Sequence, residues 1–231
     1  MSDFQGFRQE AFDFLVELAL NNDRSWFQPR KGDYERLLKK PLEQLCVALG
    51  DEFQARGVPL TGDSRSPFRI YRDVRFSKDK SPYKTNVGAS FPWTGPGGGV
   101  GGYFHLEPGA CYVGGGMWHP EPARLAAWRA AVTGRREAVH AAVDHAGFKA
   151  TFGELDGERL KRAPTGYAAD DPDIELLKLK DVVFGRSLAD QEVLGVELPA
   201  RLAATLADAV PVLGLLAGLP GLEHEAPWLR D

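Results

Sequence analysis

The sequence predicts an α+β protein: a central antiparallel, curved sheet flanked by N-terminal and C-terminal helices. Three observations carry this. Apolar residues recur at helical spacing in the first sixty residues and again after residue 120. The middle third alternates with period two and is cut by Gly- and Pro-rich turns. Its strand-like runs are joined by short turns rather than helices, which argues against a doubly wound parallel sheet.

Each element has its own warrant. Phe7, Ala11, Phe14, Leu15, Leu18 and Ala19 lie 3 and 4 apart, an amphipathic helix over residues 7–21. Asn21-Asn22-Asp23 ends it, and Asp23 or Ser25 opens a short turn. Residues 33–53 predict a second helix with a break or kink near Lys40, because Pro41 lacks an amide N–H and crowds the preceding turn. Gly57-Val58-Pro59 marks a loop. "FRIYRDVRF", residues 68–76, alternates and predicts a strand. Phe68, Ile70, Arg72, Val74 and Phe76 then share an inward face, and Arg69, Tyr71, Asp73 and Arg75 the other. "SKDKSPYKT" is a turn-rich connection to a strand over 86–93. "TGPGGGVGG" is a glycine loop, and "YFHLEPG" and "ACYVGGGMW" form a hairpin about Glu107-Pro108-Gly109.

Helices return from Pro120 or Pro122 to Gly134, and then on to Gly147. Another opens on an Asp171 cap with Pro172 in its first turn. The last apolar helix, residues 198–219, is interrupted at Pro211. The 231 residues suffice for one core, so a single domain is expected, with a helical part over 1–60, a sheet core over 66–118 and a mainly helical part over 120–231.

Composition excludes several classes. No run approaches ~20 apolar residues, so no membrane association is expected. The N-terminal stretch lacks a basic region and a cleavage site, and Asp13 and Glu17 interrupt its apolar run, so no secretory signal is expected. Cys46 and Cys111 are far apart and read as buried thiols, which together with the missing signal predicts a cytoplasmic protein. The net charge of -4 gives no overall pull toward nucleic acid. Any anion site must be a local feature.

Such a feature exists in residues 68–85. Arg69, Arg72, Arg75, Lys78, Lys80 and Lys84 face only Asp73 and Asp79, six cations against two anions and net +4. Asp73 between Arg69 and Arg75 would stay ionised and hold the guanidiniums in place, preorganised for phosphate or carboxylate. Tyr71 lies beside them, Arg72 on the apolar face must pair internally or snorkel, and Lys80, Tyr83 and Lys84 form a rim. A structural Arg–Asp network is the alternative, and the excess of cations favours a ligand.

Other motifs carry less. "GGGVGG", residues 97–102, has the letters of a dinucleotide fingerprint, but a strand follows it where a helix is required. Tyr103, His105 and Glu107 share one strand face, where His105 and Glu107 suit proton transfer and are too few to hold a metal. His119 is a further ligand type with nothing to say that it converges on them. His140, His145 and His224 read as surface residues. Arg162 and Tyr167, on a Pro-Gly turn, could fold over the sheet as a lid or lie on a solvated connection. Ser-His-Asp order, GxSxG, HExxH and CxxC are absent, and no pattern names a cofactor or a metal.

The stretch resembles the DUF2461 family, widespread bacterial and fungal proteins of unknown function. The family signature is R-x-x-R-D-x-R-F, three residues, K, two residues, Y. Arg69, Arg72, Asp73, Arg75, Phe76, Lys80 and Tyr83 stand at that spacing. "HLEPG", "YVGGGMWHPEP", "LKRAPTGY" and "ELLKLK" extend the similarity over most of the chain. The resemblance implies no activity or cofactor, and it adds weight to the cationic stretch, to Glu107 in "HLEPG" and to Arg162.

The function expected is binding of an anionic ligand, a phosphorylated small molecule or nucleotide. Arg69, Tyr71, Arg72, Arg75, Lys80, Tyr83, Lys84, Glu107 and Arg162 are the binding candidates. Asp73 and His105 are the candidates for moving a proton. The alternatives are a nucleic-acid-binding module, with Tyr71, Phe76, Tyr83 and Trp93 stacking bases, and a structural network without a ligand.

Overall fold

The structure is a computed structural model and describes residues 3–221. His224, expected at the surface, lies outside the described residues. Helix α1 (Gln9–Leu20) buries Ala11, Phe12, Phe14, Leu15 and Leu18. Asp23 then caps a full helix, α2 (Arg24–Tyr34), by accepting from the Trp26 amide at 2.8 Å. A short turn was expected there. The N-cap interaction and the burial of Phe27 and Tyr34 extend it to three turns.

The break expected near Lys40 is a π-helical turn, Glu35–Lys39, leading into α3 (Lys40–Arg56). Pro41 is the second residue of α3, directly after the π-helical turn, so a residue with no amide N–H stands where the continuous helix departs from α geometry. Gly57, at φ 65°, ends α3.

A four-stranded antiparallel sheet follows, in the order β1 (Val87–Pro92), β2 (Gly101–Leu106), β3 (Tyr112–Met117), β4 (Val182–Ser187). The hairpin about residues 107–109 pairs His105 with Tyr112, and β1 places Gly88 opposite His105. Residues 66–118 therefore hold three strands, and the fourth comes from residues 182–187, where no strand was expected. "DVVFGRS" is short and lacks clean alternation; it is β because the open edge of β3 takes it.

The expected strand over residues 68–76 is corrected. The Phe68 amide donates to the Gly88 carbonyl at the edge of β1, and then the chain leaves that edge. Ile70 and Arg72 pair instead with Lys84 and Pro82, closing a loop. Asp73 and Asp79 take the backbone amides of Arg75 and Ser81 (3.1 and 2.9 Å), which removes the donors a ladder would need. The two-face division fails with the strand. Ile70 is buried, while Phe76, from the same expected face, is 95% exposed.

Helices α4 (Pro122–Gly134), α5 (Arg136–Val143) and α6 (Ala146–Phe152) follow β3. Gly147, expected to end a helix, lies inside α6 because Phe148 and Phe152 dock on Phe184. Asp171 accepts from the Asp173 amide at 2.9 Å, and the short α7 (Ile174–Leu177) begins just beyond. After β4 come α8 (Asp190–Val193), α9 (Leu198–Ala207) and α10 (Val210–Ala217), the last two bent by 59° at the expected interruption. Among the described residues no single helix is long and apolar enough to cross a membrane.

Alternation decides what each sheet face does. Ala89, Phe91, Phe104, Leu106, Val113 and Phe184 are buried, and helices α3, α6, α9 and α10 pack on the sheet. The opposite face carries Gly88, Ser90, Tyr103, His105, Tyr112 and Gly116, and there the helices leave an open cleft. Cys46 and Cys111 are buried and free, as expected.

Candidate functional site

The cleft has a volume of about 720 Å³. Its floor is that polar sheet face and its rim the departing segment after Phe68. Phe68, Arg69, Arg72, Asp73 and Lys84 line it, with Asn86 just before β1 and Ser90 within it. Three cations and one carboxylate thus border one concavity. Two glycines shape its floor. A Cβ on Gly88 would stand 2.6 Å from the Tyr103 hydroxyl, and one on Gly116, at φ 120°, 2.3 Å from the Val182 carbonyl.

His105 is the centre of the floor and 8% exposed. Its Nδ1 lies 3.0 Å from the Tyr103 hydroxyl and its Nε2 3.0 Å from Glu107 Oε2. A carboxylate can only accept, so Nε2 carries the proton in the neutral ring and Nδ1 accepts from the phenol. Thr85 donates to Glu107 Oε1 at 3.3 Å and steadies the far end. Tyr112 stacks on the imidazole, centroids 4.8 Å apart. Burial, with Tyr112 adding to it, pushes the Tyr103 phenol well above its ordinary range, and burial raises Tyr112 as well. Both stay protonated donors at neutral pH.

The cationic residues divide by partner. Asp73 grips Arg75 through both carboxylate oxygens, with Nε at 3.0 Å from Oδ1 and Nη2 at 2.6 Å from Oδ2. The Arg75 side chain, its backbone amide and the charge of Arg69 hold the Asp73 carboxyl down at about 2. Arg72 forms an ion pair with Asp79, and hydrogen bonds from Ser81 and then Arg72 keep Asp79 well below the usual carboxylate range. Lys80 donates to the Val74 carbonyl at 2.9 Å. Lys84 Nζ sits 5.5 Å from the Phe68 ring centroid.

Of the expected binding residues, Arg69, Arg72 and Lys84 line the cleft beside Asp73 and His105, and Glu107 stands directly behind His105. Tyr71, Arg75, Lys80 and Arg162 do not line it. Tyr83 is corrected outright. It is 1% exposed, stacked 4.0 Å from Phe27, and its backbone is clamped by Asn22 at 2.9 and 3.1 Å. It is a core anchor that holds the loop to α2, out of a ligand's reach.

Sequence reasoning passed over Tyr112, Ser90 and Trp118 as residues of this site, and all three line the cleft. Register was the available signal. A turn centred on Pro108-Gly109 places Tyr112 opposite His105, as observed. His119 does not converge on His105; its Nδ1 lies 3.6 Å from Asp181. Among the described residues no three His, Cys, Asp or Glu side chains gather in a way that could hold a metal ion. His140 is also more than a surface residue, because its two ring nitrogens meet Asp144 at 2.8 Å and Asp173 at 2.9 Å.

No curated protein and no solved structure matches the chain. The family described as conserved hypothetical protein, DUF2461, matches residues 10–214. That span takes in the cationic loop, the whole sheet and the cleft between them, and the chain belongs to the DUF2461 family.

Proposed function

We propose that the cleft binds an anionic ligand of the phosphoryl class, a phosphorylated small molecule or nucleotide. The observation that carries this reading is the charge of its lining. Arg69, Arg72 and Lys84 border it, and the one carboxylate among its lining residues, Asp73, is already engaged by Arg75. A phosphoryl group would offer its oxygens to the guanidinium and ammonium donors that border the cleft.

Proton transfer at this site belongs to the Tyr103–His105–Glu107 row. Asp73, held at about 2, remains ionised at neutral pH and serves to position Arg75. A ligand hydroxyl reaching Tyr103 would pass its proton to the phenol oxygen as the phenol proton moves to His105 Nδ1. The resulting imidazolium would face the Glu107 carboxylate. For Arg72, Arg75 and Lys80 the structural-brace reading also has support, since each has a partner inside the loop. A cytoplasmic setting accords with the two free buried thiols.

The test is a thermal-shift and calorimetric titration with inorganic phosphate, pyrophosphate and ribose 5-phosphate. The wild type should be stabilised, and Arg69→Ala and Lys84→Ala should lose most of the response. A silent wild type, or variants that respond as it does, would sink the reading. Binding that collapses uniformly as salt rises, with oligonucleotides preferred over these ligands, would point to nucleic acid instead.

A further inference from the structure

We propose that the cleft has a second subsite, where Trp118 stacks on a planar ring, so that its ligand is a nucleoside phosphate. The proposal rests on the anion-binding reading above and names the ligand class within it.

The cleft is segregated along its length. Its ionic groups come from the segment at the β1 edge, whereas the β3–β4 end presents Gly116, Trp118 and Val183, none of them ionisable. A bare phosphate or a sugar phosphate would use the first end only. A purely aromatic ligand would use only the second.

Trp118 is placed for contact rather than for packing. It is 54% exposed while forming a wall of the cleft, whereas Trp128 is fully buried in the core. An indole left this far in water on a concave surface is a stacking platform. The corner that carries it is strained and held. His119, at φ 45°, is the one non-glycine residue with positive φ among the described residues. Its amide donates to the Asp181 carboxylate at 2.7 Å, that carboxylate is 6% exposed, and the imidazole backs the indole at 4.1 Å between centroids. A buried carboxylate spent on one left-handed corner fixes the backbone from which the indole projects.

The floor beside the indole is bare backbone. Gly116 pairs with both Gly101 and Val183, so a flat ring can approach the strands there without meeting a large side chain from β2 or β3. Trp118 follows the last residue of β3, whereas Tyr112, level with His105, is its first, so the indole and the His105 end are separate places along one cleft. A ligand that engages both ends therefore carries its ring and its phosphate on a spacer. Ribose is such a spacer.

The experiment is calorimetric titration of the wild type, Trp118→Ala and Trp118→Phe with adenosine 5′-monophosphate, uridine 5′-monophosphate and ribose 5-phosphate. At least one nucleotide should bind the wild type tenfold or more tighter than ribose 5-phosphate, the low end of what base–aromatic stacking contributes. Trp118→Ala should shrink that preference below about threefold and leave ribose 5-phosphate binding unchanged, while Trp118→Phe keeps most of it. Equal binding of all three ligands by the wild type, or an undiminished preference in Trp118→Ala, overturns the ring subsite and leaves the anion site standing. If none of the three binds the wild type, the anion-binding reading fails and takes the ring subsite with it.

Discussion

His105 lies flat against Tyr112, ring centroids 4.8 Å apart and planes 22° from parallel. The contact spans two strands, because hairpin register sets Tyr112 directly opposite His105. Together with Tyr103 on one nitrogen and Glu107 on the other, it leaves the imidazole one orientation. The neutral ring should therefore carry its proton on Nε2. A long-range ¹H–¹⁵N spectrum of the neutral form should show that tautomer, and Glu107→Gln should weaken the bias. An Nδ1–H pattern would contradict the assigned hydrogen bonds.

The floor leaves no room for a methyl group beneath Tyr103. In Gly88→Ala the new Cβ would meet the Tyr103 hydroxyl at 2.6 Å and the Phe104 carbonyl at 2.9 Å. Overpacking of this kind costs about 1–3 kcal/mol. Urea unfolding should show that loss, and the Tyr103–His105 hydrogen bond should be displaced with it. A variant as stable as the wild type, with unshifted His105 resonances, would refute the crowding.

Tyr83 gives a stability prediction where the sequence suggested a binding one. Its ring is buried against Phe27. Tyr83→Ala should destabilise by about 3–5 kcal/mol, the range for deleting a buried aromatic ring. Chemical denaturation measures it. A loss below ~1 kcal/mol would mean that the loop is not anchored there.

His140 predicts a pH dependence. Both its ring nitrogens face carboxylates, and only the doubly protonated ring can donate to both. Asp144 first, then Asp173, raises its pKa above the ordinary histidine value. Arg136, which also binds Asp173, and Lys149, which binds Asp144, are the nearby cations. A raised folded-state value stabilises the fold in full below about pH 6.5, and that stabilisation fades as pH rises through the folded value. The same contacts lower Asp144 and Asp173, whose contributions are lost only in acid, as pH falls through their depressed values. The stability difference between wild type and His140→Gln should thus be largest near pH 6 and shrink toward pH 9. A difference that grows with pH would reverse the sign and reject the pairing.

Much of the helical framework was open to reading because its causes are local. Pro41 and Pro211 mark the two interruptions, Gly57 a helix end, and apolar spacing the core-facing stripes. The hairpin between β2 and β3 was equally legible, since its turn residues and the alternation around them lie within twenty positions. What misled was residues 68–76. Their alternation is genuine, but a strand also needs a partner edge, and beyond Phe68 β1 supplies none. Asp73 and Asp79 then satisfy the backbone locally, and the loop closes on itself. The converse holds for β4, whose sequence signals little and which is a strand because β3 offers it an edge.

The sequence by itself determined the α+β class, the two buried thiols and the concentration of cations between Arg69 and Lys84, because spacing, charge and turn chemistry act over a few residues. Only the tertiary structure decided which of those cations border a cleft, that Tyr83 belongs to the core, and that Tyr112 and Trp118 stand beside the glycine floor. Those outcomes depend on strand register and on contacts between residues far apart in the chain. Asn22 clamps Tyr83 across 61 positions, and His119 meets Asp181 across 62. No local pattern encodes such pairs, because it is the packing of the whole core that brings their partners together.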